Sequence, residues 1–149
     1  MKKKETWQAI HTRFGYVQIS SLHGKSETIE NIRIACFLAN KLGHSTLLLA
    51  RSDDAKSPDS KNITLNIFQE YKVNQTATRS AIDNELRRAS KQASHIVLEI
   101  QSEILIGDLR RGIYERISRT PNVKTLYLIK DNTIKRYERE QILSKGWML

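Results

Sequence analysis

Stretches with apolar residues three and four apart alternate along this chain with short runs that are apolar throughout or change polarity every second residue. That alternation limits the fold more than any other feature. From Ser26 to Leu42 the apolar positions Ile32, Ala35, Cys36, Leu38, Ala39 and Leu42 line one helical face. Ser26 suits the N-cap and Gly43 the C-cap. A second helix is expected over 79–94, with its stripe at Ile82, Leu86, Ala89 and Ala93. A third spans 105–119, with Leu109, Ile113 and Ile117 inward and Pro121-Asn122 ending it. Residues 13–19, 44–50, 95–100 and 123–129 read as strands, and 63–73 alternates with Ile63, Leu65 and Ile67 on one side. After the Asp131-Asn132 turn, Ile134–Tyr137 reads as a returning strand and 138–144 as a terminal helical turn. Helices inserted between strands predict a single α/β domain, a mixed central sheet flanked by helices. Residues 1–25 would be a lead-in strand and loop, and 26–149 the α/β domain proper, one globular unit overall.

At 149 residues the chain can bury a core without staples, and its one cysteine, Cys36, excludes an internal disulfide framework or a cysteine-rich zinc module. No apolar run has the length of a membrane helix. The basic start Met1–Lys4 is followed by Glu5, Gln8 and His11 rather than by an apolar signal region, so a soluble, cytoplasmic protein is expected. A net charge of +9, spread over both halves, points to a polyanionic partner held by a surface that folding assembles.

The chemistry-bearing residues are Pro58-Asp59 and, after a short gap, Glu70-Tyr71-Lys72. On a strand, Glu70 and Lys72 project from the same face, which would also carry Asn66 and Phe68. Two carboxylates can hold a hard divalent ion that retains several waters. Such an ion polarises a phosphoryl oxygen, and a lysine beside it can orient the attacking group or offset developing negative charge. The plainer reading makes Asp59 a turn residue and Glu70 and Lys72 solvated neighbours. Glu30 could pair with Arg33 or Lys41 on a helix surface. Gln92 could be a surface amide beside Glu85 and Arg88. His11, His23, His44 and His95 lack metal-ligand spacing, and no glycine-rich phosphate loop is present. Arg87, Arg88 and Lys91, and on the third helix Arg110, Arg111, Arg116 and Arg119, are candidate phosphate contacts. Tyr127, Tyr137 and Trp147 could stack on bases, with packing the alternative for Tyr127.

P-D, a gap, then E-x-K on a strand resembles the PD-(D/E)XK nuclease motif. The order of helix, three strands, helix and strand across 26–100 is similar to that superfamily's restriction-endonuclease-like core. The resemblance implies that Asp59 and Glu70 hold the metal, that Lys72 is catalytic, that Glu30 is a further ligand, and that Gln92 matches a recurrent helix-borne glutamine. A closer resemblance covers about 26–137. The run Asn31…Ala35…Leu38-Ala39…Leu42-Gly43-His44, then Pro58-Asp59, Glu70-Tyr71-Lys72, Leu86 to Ala93 and Ile96-Val97-Leu98, looks like the C-terminal toxin domain of CdiA-type contact-dependent inhibition proteins. It implies a tRNA nuclease with a cognate immunity protein as partner, while the nuclease motif implies Mg²⁺ or another divalent ion as cofactor. The alternatives are a DNA endonuclease of the same superfamily and a non-catalytic basic nucleic-acid-binding module.

Overall fold

The computed structural model describes residues 3–52 and 56–149, so Asp53-Asp54 of the expected loop and the first two residues of the basic start lie outside the described residues. The chain forms two compact units, Met1–Gln69 and Glu70–Leu149, and one strand runs through the boundary.

In the first unit, β1 (Trp7–His11) and β2 (Tyr16–Ser20) form an antiparallel hairpin. Its turn is closed by the Thr12 hydroxyl, which donates to Gly15 O at 2.7 Å and accepts from Gly15 N at 3.0 Å. The crossover helix α1 (Thr28–Leu42) returns the chain to β3 (Thr46–Leu48), which pairs parallel to β2. α1 packs on β2 and β3 and buries Ile34, Ala35, Leu38 and Ala39; Val17, Ile19 and Leu48 are the buried apolar residues of the two strands. It ends at Gly43, where φ of +70° would strain any residue with a Cβ, and the Gly43 N–H bonds back to Ala39 O. Two short antiparallel pairings follow, β3 with β4 (Ser60–Asn62) and β4 with β5 (Ile67–Asn74).

The second unit begins in β5 and continues β5–β6–β7–β8 across its sheet. β6 (His95–Ile100) and β7 (Thr125–Lys130) are parallel, joined through α3 (Ile106–Ser118). β7 turns at Asp131-Asn132, both at positive φ, into antiparallel β8 (Thr133–Glu138), and α4 (Arg139–Ile142) follows. α2 (Arg79–Ser90) starts at Thr78, whose hydroxyl accepts from Ala81 N–H at 3.1 Å, and packs against α3. Their contact is tightest at a glycine. A methyl group at Gly112 would lie 3.0 Å from the Ile82 side chain. The core of this unit is aliphatic: Ile82, Leu86, Ile96, Leu98, Leu109, Ile113, Ile117 and Leu126 are all fully buried. Each contributes about 1.5–3 kcal/mol by leaving water.

The expected α/β class and mixed strand pairing are what the chain adopts. Three local expectations change. Residues 7–11, which carry no clear period, form β1. The strand expected from Ile63 starts at Ile67, because Asn66 turns at φ +55° and 63–66 form the bend between β4 and β5. The helix expected to reach 94 stops at Ser90, whose carbonyl accepts instead from Asn122 Nδ2 at 2.8 Å. No helix among the described residues is long and apolar enough to cross a membrane.

Candidate functional site

β5 carries the E-x-K residues, and its alternation sends Phe68, Glu70, Lys72 and Asn74 to one side. Glu70 is buried and Lys72 half-buried, with Lys72 Nζ 3.7 Å from Glu70 Oε2. Asn74 extends the polar row. Its Nδ2 donates to both carboxylate oxygens of Glu85 on α2, at 3.2 and 3.0 Å, and to Thr76 O at 2.9 Å. The Ser102 hydroxyl donates in turn to Asn74 Oδ1. Burial pushes the Glu85 carboxyl above its ordinary range, against the Asn74 hydrogen bond and the charges of Lys72 and Arg88, which pull it down. In the second unit an ammonium thus lies 3.7 Å from the buried carboxylate of Glu70, and its charge also acts on the half-buried Glu85. Such an arrangement fixes the ammonium's position and leaves it free to offset further negative charge on its open side. Glu99 on β6 is also buried and accepts from Gln101 Nε2 at 2.6 Å.

Asp59 belongs to the first unit, at the entrance to β4, and is 7% exposed. Its carbonyl accepts from Leu49 N–H at 3.0 Å, which fixes the turn out of the loop. The next residue, Ser60, is the register partner of Gln69, and its hydroxyl donates to Gln69 O at 3.1 Å. Glu70 follows Gln69 directly in the chain.

The remaining expected positions divide by exposure. Glu30 is exposed on α1, and the buried residue of that turn is Asn31. Gln92 lies past the end of α2, in the turn before β6, where its N–H bonds Ala89 O at 2.9 Å. Arg87, Arg88 and Lys91 are exposed at the C-terminal end of α2, with Arg87 donating to Asn84 Oδ1 at 3.3 Å. On α3, Arg116 is committed elsewhere: it grips Asp83 through Nε at 2.8 Å and its terminal nitrogen at 3.0 Å. Arg119 reaches the same carboxylate at 3.4 Å. The Arg116 hydrogen bonds hold the Asp83 carboxyl below its usual range. Tyr127 and Tyr137 are buried, as packing residues, and Trp147 meets Tyr137 edge-on with ring centroids 5.3 Å apart.

Two buried polar networks of the first unit have no counterpart in the sequence reading. His23 Nδ1 donates to Leu49 O at 2.6 Å, and its Nε2 is 2.9 Å from Asn31 Nδ2. A carbonyl only accepts, so the ring hydrogen sits on Nδ1, and Nε2 accepts from the Asn31 amide. Asn62 Nδ2 is 3.0 Å from His44 Nδ1 and 3.4 Å from Gln69 Oε1, and Asn62 Oδ1 accepts from Leu65 N–H at 3.0 Å. The only local signal for these was a histidine or amide beside an apolar run.

Among the described residues, no three His, Cys, Asp or Glu side chains gather closely enough to form a metal cluster. A closed zinc-type site is therefore not formed by them. One or two carboxylates completed by water and substrate phosphate is instead the usual manner of holding Mg²⁺.

No family model matches the chain, and no curated protein matches it. Among solved structures, its fold is similar to that of a chain in a CdiA-CT/CdiI toxin and immunity complex from Burkholderia pseudomallei. That likeness has a TM-score of 0.54 at 19% identity and covers 79% of this chain and 91% of that chain. It is a likeness of fold.

Proposed function

We propose that this chain is a toxin-type nuclease domain that cleaves phosphodiester bonds in RNA, tRNA foremost, with the help of a divalent ion. The observation that carries this reading is the Glu70–Lys72 pair on one side of β5, a buried carboxylate with a half-buried ammonium 3.7 Å away. The motif adds Asp59, a second buried carboxylate at the start of β4. Support also comes from the net charge of +9 and from the likeness of fold to a chain of a toxin and immunity complex.

In this mechanism Asp59 and Glu70 are the residues that would hold the ion through carboxylate oxygens, and Glu30, exposed on α1, is left out of the ligand set. When bound, a hard divalent ion supplies Lewis-acid polarisation of the phosphoryl oxygen. Lys72 donates hydrogen bonds to the oxygen on which negative charge develops, or positions the attacking hydroxyl. Glu70, 3.7 Å from its amine, helps to hold it in place. Arg87, Arg88 and Lys91 contact the phosphate backbone, and Gln92 stands in the turn after them. An immunity protein is proposed as the partner that silences the domain.

Purified protein incubated with tRNA, and separately with plasmid DNA, tests this reading with Mg²⁺ or with EDTA. Cleavage of tRNA that needs Mg²⁺ and disappears in Asp59→Ala and Glu70→Ala supports it. Cleavage of plasmid alone would make the chain a DNA endonuclease. Binding without cleavage of either would make it a nucleic-acid-binding module.

A further inference from the structure

The second unit has a cavity of about 340 Å³ where α3 meets the segment after α4. Arg110 and Tyr114 come from α3, and Ser144, Lys145, Gly146 and Trp147 from the C-terminal segment. Its volume falls within the range of small-molecule sites. Three features set its chemistry. First, two cations line it and no carboxylate does; neither Arg110 nor Lys145 makes an ion pair among the described residues. Second, Tyr114 is 43% exposed on a helix whose Leu109, Ile113 and Ile117 are fully buried. Third, Trp147 is fixed beneath the cavity, 8% exposed and edge-on to Tyr137.

We infer that this cavity binds one nucleotide, a base and its phosphate together. An exposed aromatic face supplies stacking to any base. A guanidinium and an ammonium supply the charge-assisted hydrogen bonds that phosphate oxygens accept. A sugar alone would not use the cations, and a bare anion would not use the ring. The Ser144 hydroxyl, already donating to Gln141 O at 2.6 Å, retains acceptor capacity for a base or ribose donor. The assignment stands on these residues alone and does not depend on cleavage by Asp59, Glu70 and Lys72.

Titration of the ¹⁵N-labelled full chain with adenosine 5′-monophosphate, adenosine and inorganic phosphate, followed by amide and indole NMR shifts, tests it. The nucleotide is expected to shift Tyr114, Lys145, Gly146 and the Trp147 indole, and to bind at least about fivefold tighter than adenosine or phosphate alone. Tyr114→Ala and Lys145→Gln should each weaken it by at least about fivefold, leaving shifts elsewhere unchanged. Lys145 is exposed, so its variant folds even if the tyrosine variant does not. Phosphate binding as well as the nucleotide, shifts confined to other residues, or affinity indifferent to both variants would each overturn the inference. A chain that fails to cleave RNA yet passes this test would sink the catalytic reading alone.

Discussion

The two units solve the same packing problem with different materials. The second buries a continuous aliphatic layer, with Ile82, Leu86, Ile96, Leu98, Leu109, Ile113, Ile117 and Leu126 all shielded from water. The first buries His23, Asn31, His44, Thr46, Ser60, Asn62 and Gln69 alongside a smaller apolar set. A buried amide or imidazole stabilises only through its hydrogen bonds, so the first unit depends on geometry where the second depends on area. The second unit should therefore tolerate loss of a polar contact and suffer from loss of volume, and the first should do the reverse.

The largest effect is expected in the aliphatic layer. Ile113→Ala should cost about 2–5 kcal/mol in chemical denaturation, with hydrogen-exchange protection lost foremost over α2, α3 and β6. In the first unit, Asn62→Ala leaves His44 and Gln69 without the amide that joins them and should cost about 1–3 kcal/mol. Equal protection loss in both units for either variant would erase the distinction between them. The smallest effect concerns a polar contact of the second unit. Asp83→Asn should lower stability by about 1 kcal/mol at neutral pH, since its bidentate bond to Arg116 is partly exposed. Arg116 lowers the folded-state value of Asp83, so that stability is present above the ordinary value of 3.8 and fades as pH falls through the lowered one. Denaturation midpoints of variant and parent should thus converge in acid; a gap that persists there would assign the cost to packing.

How much of this was legible follows the same division. β6 was readable to the residue, because His95–Ile100 is a short, mainly apolar run with β-branched members. The Gly43 cap and the Asp131-Asn132 turn were readable because positive φ selects few residue types. β1 was hidden because Trp7, Gln8, Ala9 and His11 are all exposed, so no period of two is imposed on it. Ile63 and Leu65 imitate a strand, but both sit 39% exposed in a bend. Of the site, the E-x-K pair was legible because a strand's alternation is local. The Asn74–Glu85 and Asn62–His44 bonds were not, since they join residues eleven and eighteen positions apart. Asn31, rather than Glu30, being the buried member of its turn depends on where α1 docks, which a one-residue rotation of the helix would change.

The claim that β5 presents a working carboxylate–ammonium pair is tested most directly by single-turnover cleavage of tRNA in Mg²⁺ by the parent chain and by Glu70→Gln and Lys72→Ala, with folding verified by circular dichroism. The account predicts that both variants fold and that each loses at least about a hundredfold in rate. Folded variants that cleave at the parent's rate would contradict it.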